Sequence, residues 1–248
     1  MDVAGYPVER IEVPITPKIK PVAGKKFRVD IDVTNEGVST KGTAYATYSI
    51  SQKNNVFIWQ VQVTEFVADG VHLTSLVPLV EAYAISDAYG WPVEGTTQLT
   101  TPSADLKQDA VKLNFEQMYL LVEVTQALFP RFVTTPVKSG DDFAMSVYER
   151  SGMVVGEDGR NGTYSTLKGY TVRNGVRYVM DMTSREGFDL SLVSVPDKKM
   201  NVIKLESMTL WNAEDFFCEY HESSITVSYP ELPEMGEMTS SVRFEAVD

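Results

Sequence analysis

Cysteine and histidine are almost missing from this chain. One cysteine, Cys218, and two histidines, His72 and His221, stand among 248 residues. A single thiol allows no intrachain disulfide, which excludes a disulfide-stapled scaffold. Cations are in short supply too: 22 Lys and Arg face 34 Asp and Glu, a formal net charge of −12. Nucleic acid is thereby a poor partner, because phosphate contacts need clustered Lys and Arg. There is no run of about 18 apolar residues, so no transmembrane helix is expected. The start, Met1-Asp2-Val3-Ala4-Gly5, has neither the basic nor the apolar region of a signal peptide. Two localisations fit: a cytoplasmic chain, or the mature part of an exported one.

Catalytic signatures are absent as well. The sequence contains no G-x-S-x-G, no phosphate-binding glycine loop, no G-x-G-x-x-G and no H-E-x-x-H. No cofactor is expected, and the chain reads as a non-enzyme. What is present is apolar material, 43% hydrophobic and 10% aromatic, enough for a sizeable core and too much for a disordered acidic chain.

Residues 1–20 form a Pro-spaced stretch, with Pro7, Pro14 and Pro17, and read as an extended arm or edge strand. Beyond it, Phe27, Val29, Ile31 and Val33 alternate with polar residues, the period of a half-buried strand. Asn35-Glu36-Gly37 reads as a turn, and Lys53-Asn54-Asn55 as a hairpin between strands at 45–50 and 56–63. The segment 103–129 breaks this habit. It follows Thr101-Pro102, and Leu106, Ala110, Leu113, Leu121, Val124 and Leu128 share one helical stripe. The spacing predicts a long helix, packed on or inside a sheet and ended by Pro130; a strand over 118–124 is the other reading. After Pro136 strand periodicity resumes at 143–148, 164–172, 177–182, 188–195 and 200–211, with Pro196–Lys199 as a turn. Asn212–Tyr220 reads as a short helical turn, and strands close the chain near 225–229 and 242–244.

The two halves resemble each other. Pro21–Phe27 matches Pro136–Phe143, Lys41-Gly42-Thr43 matches Asn161-Gly162-Thr163, and Asn54-Asn55-Val56 matches Asn174-Gly175-Val176. The order is kept at a spacing of about 120 residues, which points to duplication. The expected organisation is an arm over 1–20, a first repeat with the long helix over 21–133, and a β-rich second repeat over 134–248. The fold class expected is α+β, mostly antiparallel β, each half a curved sheet.

The run Ala127-Leu128-Phe129-Pro130-Arg131-Phe132, with Pro136-Val137 and Gly140-Asp141-Asp142-Phe143 after it, resembles a pattern in duplicated bacterial envelope proteins of unknown function. Gly169–Val172 and Asn174–Val179 resemble the hairpin of the same proteins. Their halves are similar to LolA/LppX-like folds, a curved antiparallel sheet round a helix. The resemblance implies a lipoprotein-like protein of the periplasm or cell envelope with an apolar cavity; it implies no activity. This chain lacks the lipobox cysteine such proteins carry at the start.

Candidate site residues follow from these readings. Trp59, Phe115, Met118, Tyr119, Val122 and Trp211 would line an apolar cavity between sheet and helix, although a packed core uses the same residues. Cys218 and His221 lie three apart in an acidic stretch; on a helix they would share a face and could bind a soft divalent metal, and on a regular strand they would diverge. His72 flanks apolar residues and reads as structural or exposed. The function expected is an exported binding protein for an apolar small molecule or lipid, or for a protein partner. The alternatives are an assembly subunit that uses strand edges and the arm, and a hydrolase that uses scattered carboxylates.

Overall fold

The structure is a computed structural model. It describes residues 2–35, 37–68, 71–74, 79–91, 93, 98–100, 130–145, 154–156, 164–192, 195–231, 233 and 236–247. A small hairpin leads, β1 (Asp2–Val3) with β2 (Tyr6–Pro7). Six strands follow: β3 (Val22–Asn35), β4 (Val38–Lys53), β5 (Val56–Ala68), β6 (Val71–Thr74), β7 (Val80–Ser86) and β8 (Gln98–Thr100). Later come β9 (Asp142–Met145), β10 (Val154–Gly156), β11 (Tyr164–Arg173), β12 (Val176–Leu192), β13 (Val195–Asn212), β14 (Cys218–Ser228) and β15 (Glu237–Val247).

All pairings are antiparallel, and one 13-stranded sheet has the order β8-β7-β5-β4-β3-β15-β14-β13-β12-β11-β9, with β6 on β5 and β10 on β12. The expected α+β class is therefore corrected to all-antiparallel β: no helix occurs among the described residues. The segment 103–129, expected as the long helix, lies outside them. No helix among the described residues is long and apolar enough to cross a membrane.

The strands follow from alternation. Along β5, Phe57, Trp59, Val61 and Val63 are buried while their neighbours are half-exposed. Left-handed residues turn the hairpins: Asn54 has φ 58°, and Asn174 and Gly175 have φ 52° and 80°. Asn tolerates this region and Gly enters it freely, so both suit tight connections. Two expected turns move. Pro196–Lys199 lies inside β13, where a proline near the strand start loses little pairing. Asn212–Tyr220 is not helical: β13 runs to Asn212 and β14 starts at Cys218. Between them Asn212 Oδ1 accepts from Glu214 N, and Asp215 Oδ1 from Phe217 N, both at 2.9 Å.

The sheet has an inner and an outer face. The inner face carries the main core, including Phe27, Tyr48, Trp59, Trp211, Phe217 and Phe244. Ring centroids of Phe143 on β9 and Trp211 on β13 lie 6.5 Å apart. Three inter-strand steps in a flat sheet would separate them by about 14 Å, so the sheet curls inward. Its two ends are joined by one segment: Phe132 N donates to Tyr89 O beyond β7, and Val133 N donates to Phe143 O on β9. The outer face carries a smaller cluster, Val8, Tyr178, Met180, Met208, Leu210 and Tyr220, with Tyr6 and Met182 against it.

The Pro-spaced arm joins the two faces. Tyr6 and Val8 pack outside, Glu9 pairs with Tyr170 at the β11 edge, and Ile11 and Ile19 are buried in the inner core. Ile15 pairs with Val137, and Ile19 N donates to Ala88 O. Here the arm's hydrogen bonds are made within the chain.

Candidate functional site

Register builds a site that no stretch of sequence contains. Strand pairing sets Met182, Met208, Glu222, Arg243, Asp30 and Thr43 side by side across β12, β13, β14, β15, β3 and β4. The next row on the same face is Ser184, Glu206, Ser224, Ser241, Asp32 and Lys41. Two residues apart along a strand means the same face, and this is the outer one, since the intervening Val242 and Ile31 belong to the inner core. Over these two rows the outer face dips into a groove of about 800 Å³, with Ala4 of the hairpin at its rim. Its wall is chiefly carbon, with serine hydroxyls in the middle and the two methionines at one end.

The charged groups of the groove are answered locally. Asp30 accepts from Thr43 Oγ1 at 2.7 Å and pairs with Arg28 at 3.0 Å. Asp32 accepts from Ser39 Oγ at 2.6 Å and pairs with Lys41 at 3.2 Å. The Ser39 hydroxyl, ahead of Lys41, holds the Asp32 carboxyl below the usual value. Glu206 pairs with Lys204 at 2.9 Å, and Glu222 accepts from the Tyr220 hydroxyl at 2.7 Å. Arg243 reaches Glu245 at 3.2 Å and lies over the Tyr220 ring. No described lining residue is a histidine or cysteine.

Of the expected cavity residues, Trp59 and Trp211 lie away from the groove. Trp59 and Trp211 are 2% and 1% exposed and packed into the inner core, Trp59 against Tyr48 and Trp211 against Phe132. Trp59 Nε1 donates to Ser86 Oγ at 2.6 Å. Phe115, Met118, Tyr119 and Val122 lie outside the described residues. His72 is exposed, with Nε2 2.9 Å from Glu65.

Cys218 and His221 correct the simple strand argument. Leu210 pairs with Tyr220 and Trp211 with Cys218, so Glu219 is an extra residue in a bulge. A bulge shifts side-chain parity by one, which returns both residues to the inner face. Cys218 joins the main core, and His221 stacks on Phe244 at 4.9 Å. The His221 Nδ1 lies 2.9 Å from Thr209 Oγ1. Among the described residues no three His, Cys, Asp or Glu gather as a metal ion needs. His221 instead ends a buried polar row with Thr209 and Asp181, and Asp181 accepts from Ser165 Oγ at 2.6 Å.

The bulged Glu219 has its own function in the fold. Lys25 bonds it, the Tyr178 hydroxyl donates to it at 2.7 Å, and Asn212 Nδ2 donates at 3.3 Å. Burial pushes its carboxyl up, but the bonds from Lys25 and Tyr178 outweigh this and leave it below the ordinary value. A depressed carboxylate adds stability above its unfolded pKa of about 4.3 and loses it as pH falls through the lower folded value. Asp215, pushed up by burial, works with the opposite sign. Urea midpoints from about pH 7 to pH 3 should therefore show Glu219→Gln less stable at neutral pH and converging with wild type in acid. Parallel curves would remove Glu219 from the acid response.

The groove is not legible along the sequence because its residues span the chain from Ala4 to Arg243, three consecutive residues to each of six strands. Apolar residues outside the inner-core alternation, among them Met180, Met182, Met208 and Leu210, are the sequence signal of a second apolar surface.

No protein-family model matches the chain, and no curated protein does either. Among solved structures, the chain has a distant likeness to a DUF1329 family protein from Desulfovibrio piger, with 7% identity, TM-score 0.24, and 90% of this chain and 83% of that one covered. A second likeness is to DynF from the dynemicin biosynthesis pathway of Micromonospora chersina, with 9% identity, TM-score 0.22, and 99% of this chain and 87% of that one covered.

Proposed function

We propose that the chain is a non-enzymatic binding protein of the bacterial envelope, and that its outer-face groove holds an apolar or amphipathic small molecule. The groove carries this reading. Its volume of about 800 Å³ falls among ligand sites, which run from about 300 to 1,000 Å³. Its wall joins adaptable thioethers at Met182 and Met208 to a few hydroxyls, the mixture that buries an apolar body and orients a polar end. Its carboxylates already have cations or hydroxyls as partners, which favours holding a molecule over transforming one.

Calorimetric titration with decyl maltoside below its micelle concentration tests the reading. Wild type should saturate with one molecule. Ser224→Trp, which places a ring in the groove from a half-exposed position, should weaken binding at least about tenfold, or about 1.4 kcal/mol, with the thermal midpoint kept. Equal binding by both forms, or none by wild type, removes the reading.

A further inference from the structure

The groove does not end where its opening ends. Met208 belongs both to the groove wall and to the buried outer-face cluster, and Met182 lines the groove while packing against that cluster. One row further along the strands the floor continues as Met180, Leu210 and Tyr220. Over this continuation lies the β1–β2 hairpin, with Ala4 at the groove rim and Tyr6 and Val8 on the apolar floor. The floor is thus one surface, part open and part covered by the chain's own first residues.

The cover is lightly held. The hairpin pairs through Asp2↔Pro7 and Val3↔Tyr6 alone and forms a sheet of its own, apart from the large one. Its tip holds Ala4 at φ 50°, a conformation unfavourable for a residue with a side chain. Its base is firmer: Thr171 Oγ1 donates to Pro7 O at 2.9 Å, and Glu9 and Tyr170 exchange backbone hydrogen bonds at 2.9 and 2.8 Å. Base and tip therefore differ, as a hinge differs from a flap.

We infer that residues 2–6 are a displaceable lid over an apolar extension of the groove, and that the ligand carries an alkyl chain which enters beneath it and takes the place of Tyr6. This rests on the groove reading above. A chain running past Met182 and Met208 onto Met180 and Leu210 stays in contact with carbon throughout.

Alkyl maltosides of increasing chain length are the probe, measured by calorimetry on the full chain and on Tyr6→Ala. Each methylene buried beyond the groove should tighten binding about fourfold. Tyr6→Ala, which removes the ring from the floor, should tighten the longest maltoside several-fold and leave the shortest unchanged. Hydrogen exchange on the unmodified chain gives the second readout: Val3 and Tyr6 amides should exchange faster with the longest maltoside bound. If Ser224→Trp blocks binding but chain length, Tyr6→Ala and exchange at Val3 and Tyr6 have no effect, the groove reading stands and the lid is overturned. If no maltoside binds either form, both are overturned.

Discussion

Phe132→Ala lowers the stability of the fold by about 3–5 kcal/mol, a fall in thermal midpoint of roughly 10 °C for a chain of this size. Phe132 is fully buried. Its ring meets Trp211 at 4.8 Å, Phe143 at 5.2 Å and Phe216 at 5.8 Å, in edge or tilted geometries that suit aromatic quadrupoles. Its backbone is the junction between the two ends of the sheet, with Tyr89 on one side, and Trp91 Nε1 donates to its carbonyl at 2.7 Å. Loss of the ring leaves a cavity where the curl is held. Phe132→Leu keeps most of the volume and should lose less than half as much. Thermal denaturation of the three proteins checks this. A change below about 1 kcal/mol for the alanine variant would mean that the ends are not held together by this cluster.

Gly169→Ala should detach the arm. A methyl at this position would stand 2.2 Å from Glu9 O and 2.8 Å from Val8 Cγ1, distances no contact survives, and φ is 152°. The glycine sits at a β-bulge on β11, where the arm crosses from the outer to the inner face. Either the arm moves away, losing the Glu9–Tyr170 pairing and the burial of Val8, or β11 shifts. The expected loss is about 2–3 kcal/mol, with faster proteolysis between Pro7 and Pro17. Gly175→Ala is the control: a methyl there meets nothing within 4 Å, so only its φ of 80° opposes it. Its loss should stay near 1 kcal/mol with the arm still protected. Equal behaviour of the two variants would show that Gly169 serves its own backbone and not the arm.

Local signals in this sequence concern hairpins and one face of each strand. The alternation Phe27, Val29, Ile31, Val33 is visible because one side is buried, and it locates β3. It understates β3, β4 and β14, because their outer residues are charged or hydroxylated and meet partners on adjacent strands. Arg28, Asp30 and Thr43 are an example: each looks like a loop residue alone, and together they bond along β3 and across to β4. The parity of Cys218 and His221 depended on whether Glu219 bulges, which pairing with Trp211 and Leu210 decides. The groove was illegible for the same reason at larger scale. Its rows are perpendicular to the chain, and no window along the sequence samples that direction.

The pairing of β15 with β3 bears on how the protein is made. Of the two strands Val22–Asn35 is made first, and its neighbour Glu237–Val247 follows only after β4 to β14 have been made. Until then, β3–β4–β5 and β11–β12–β13–β14 are separate meanders, each with an unpaired edge that invites a neighbouring chain. Contacts of such sequence separation make folding slow and leave partly built states exposed. The seam closes only once Glu237–Val247 has been made, so until then nascent chains on one messenger are at risk of completing each other's sheets at the open edge of β3.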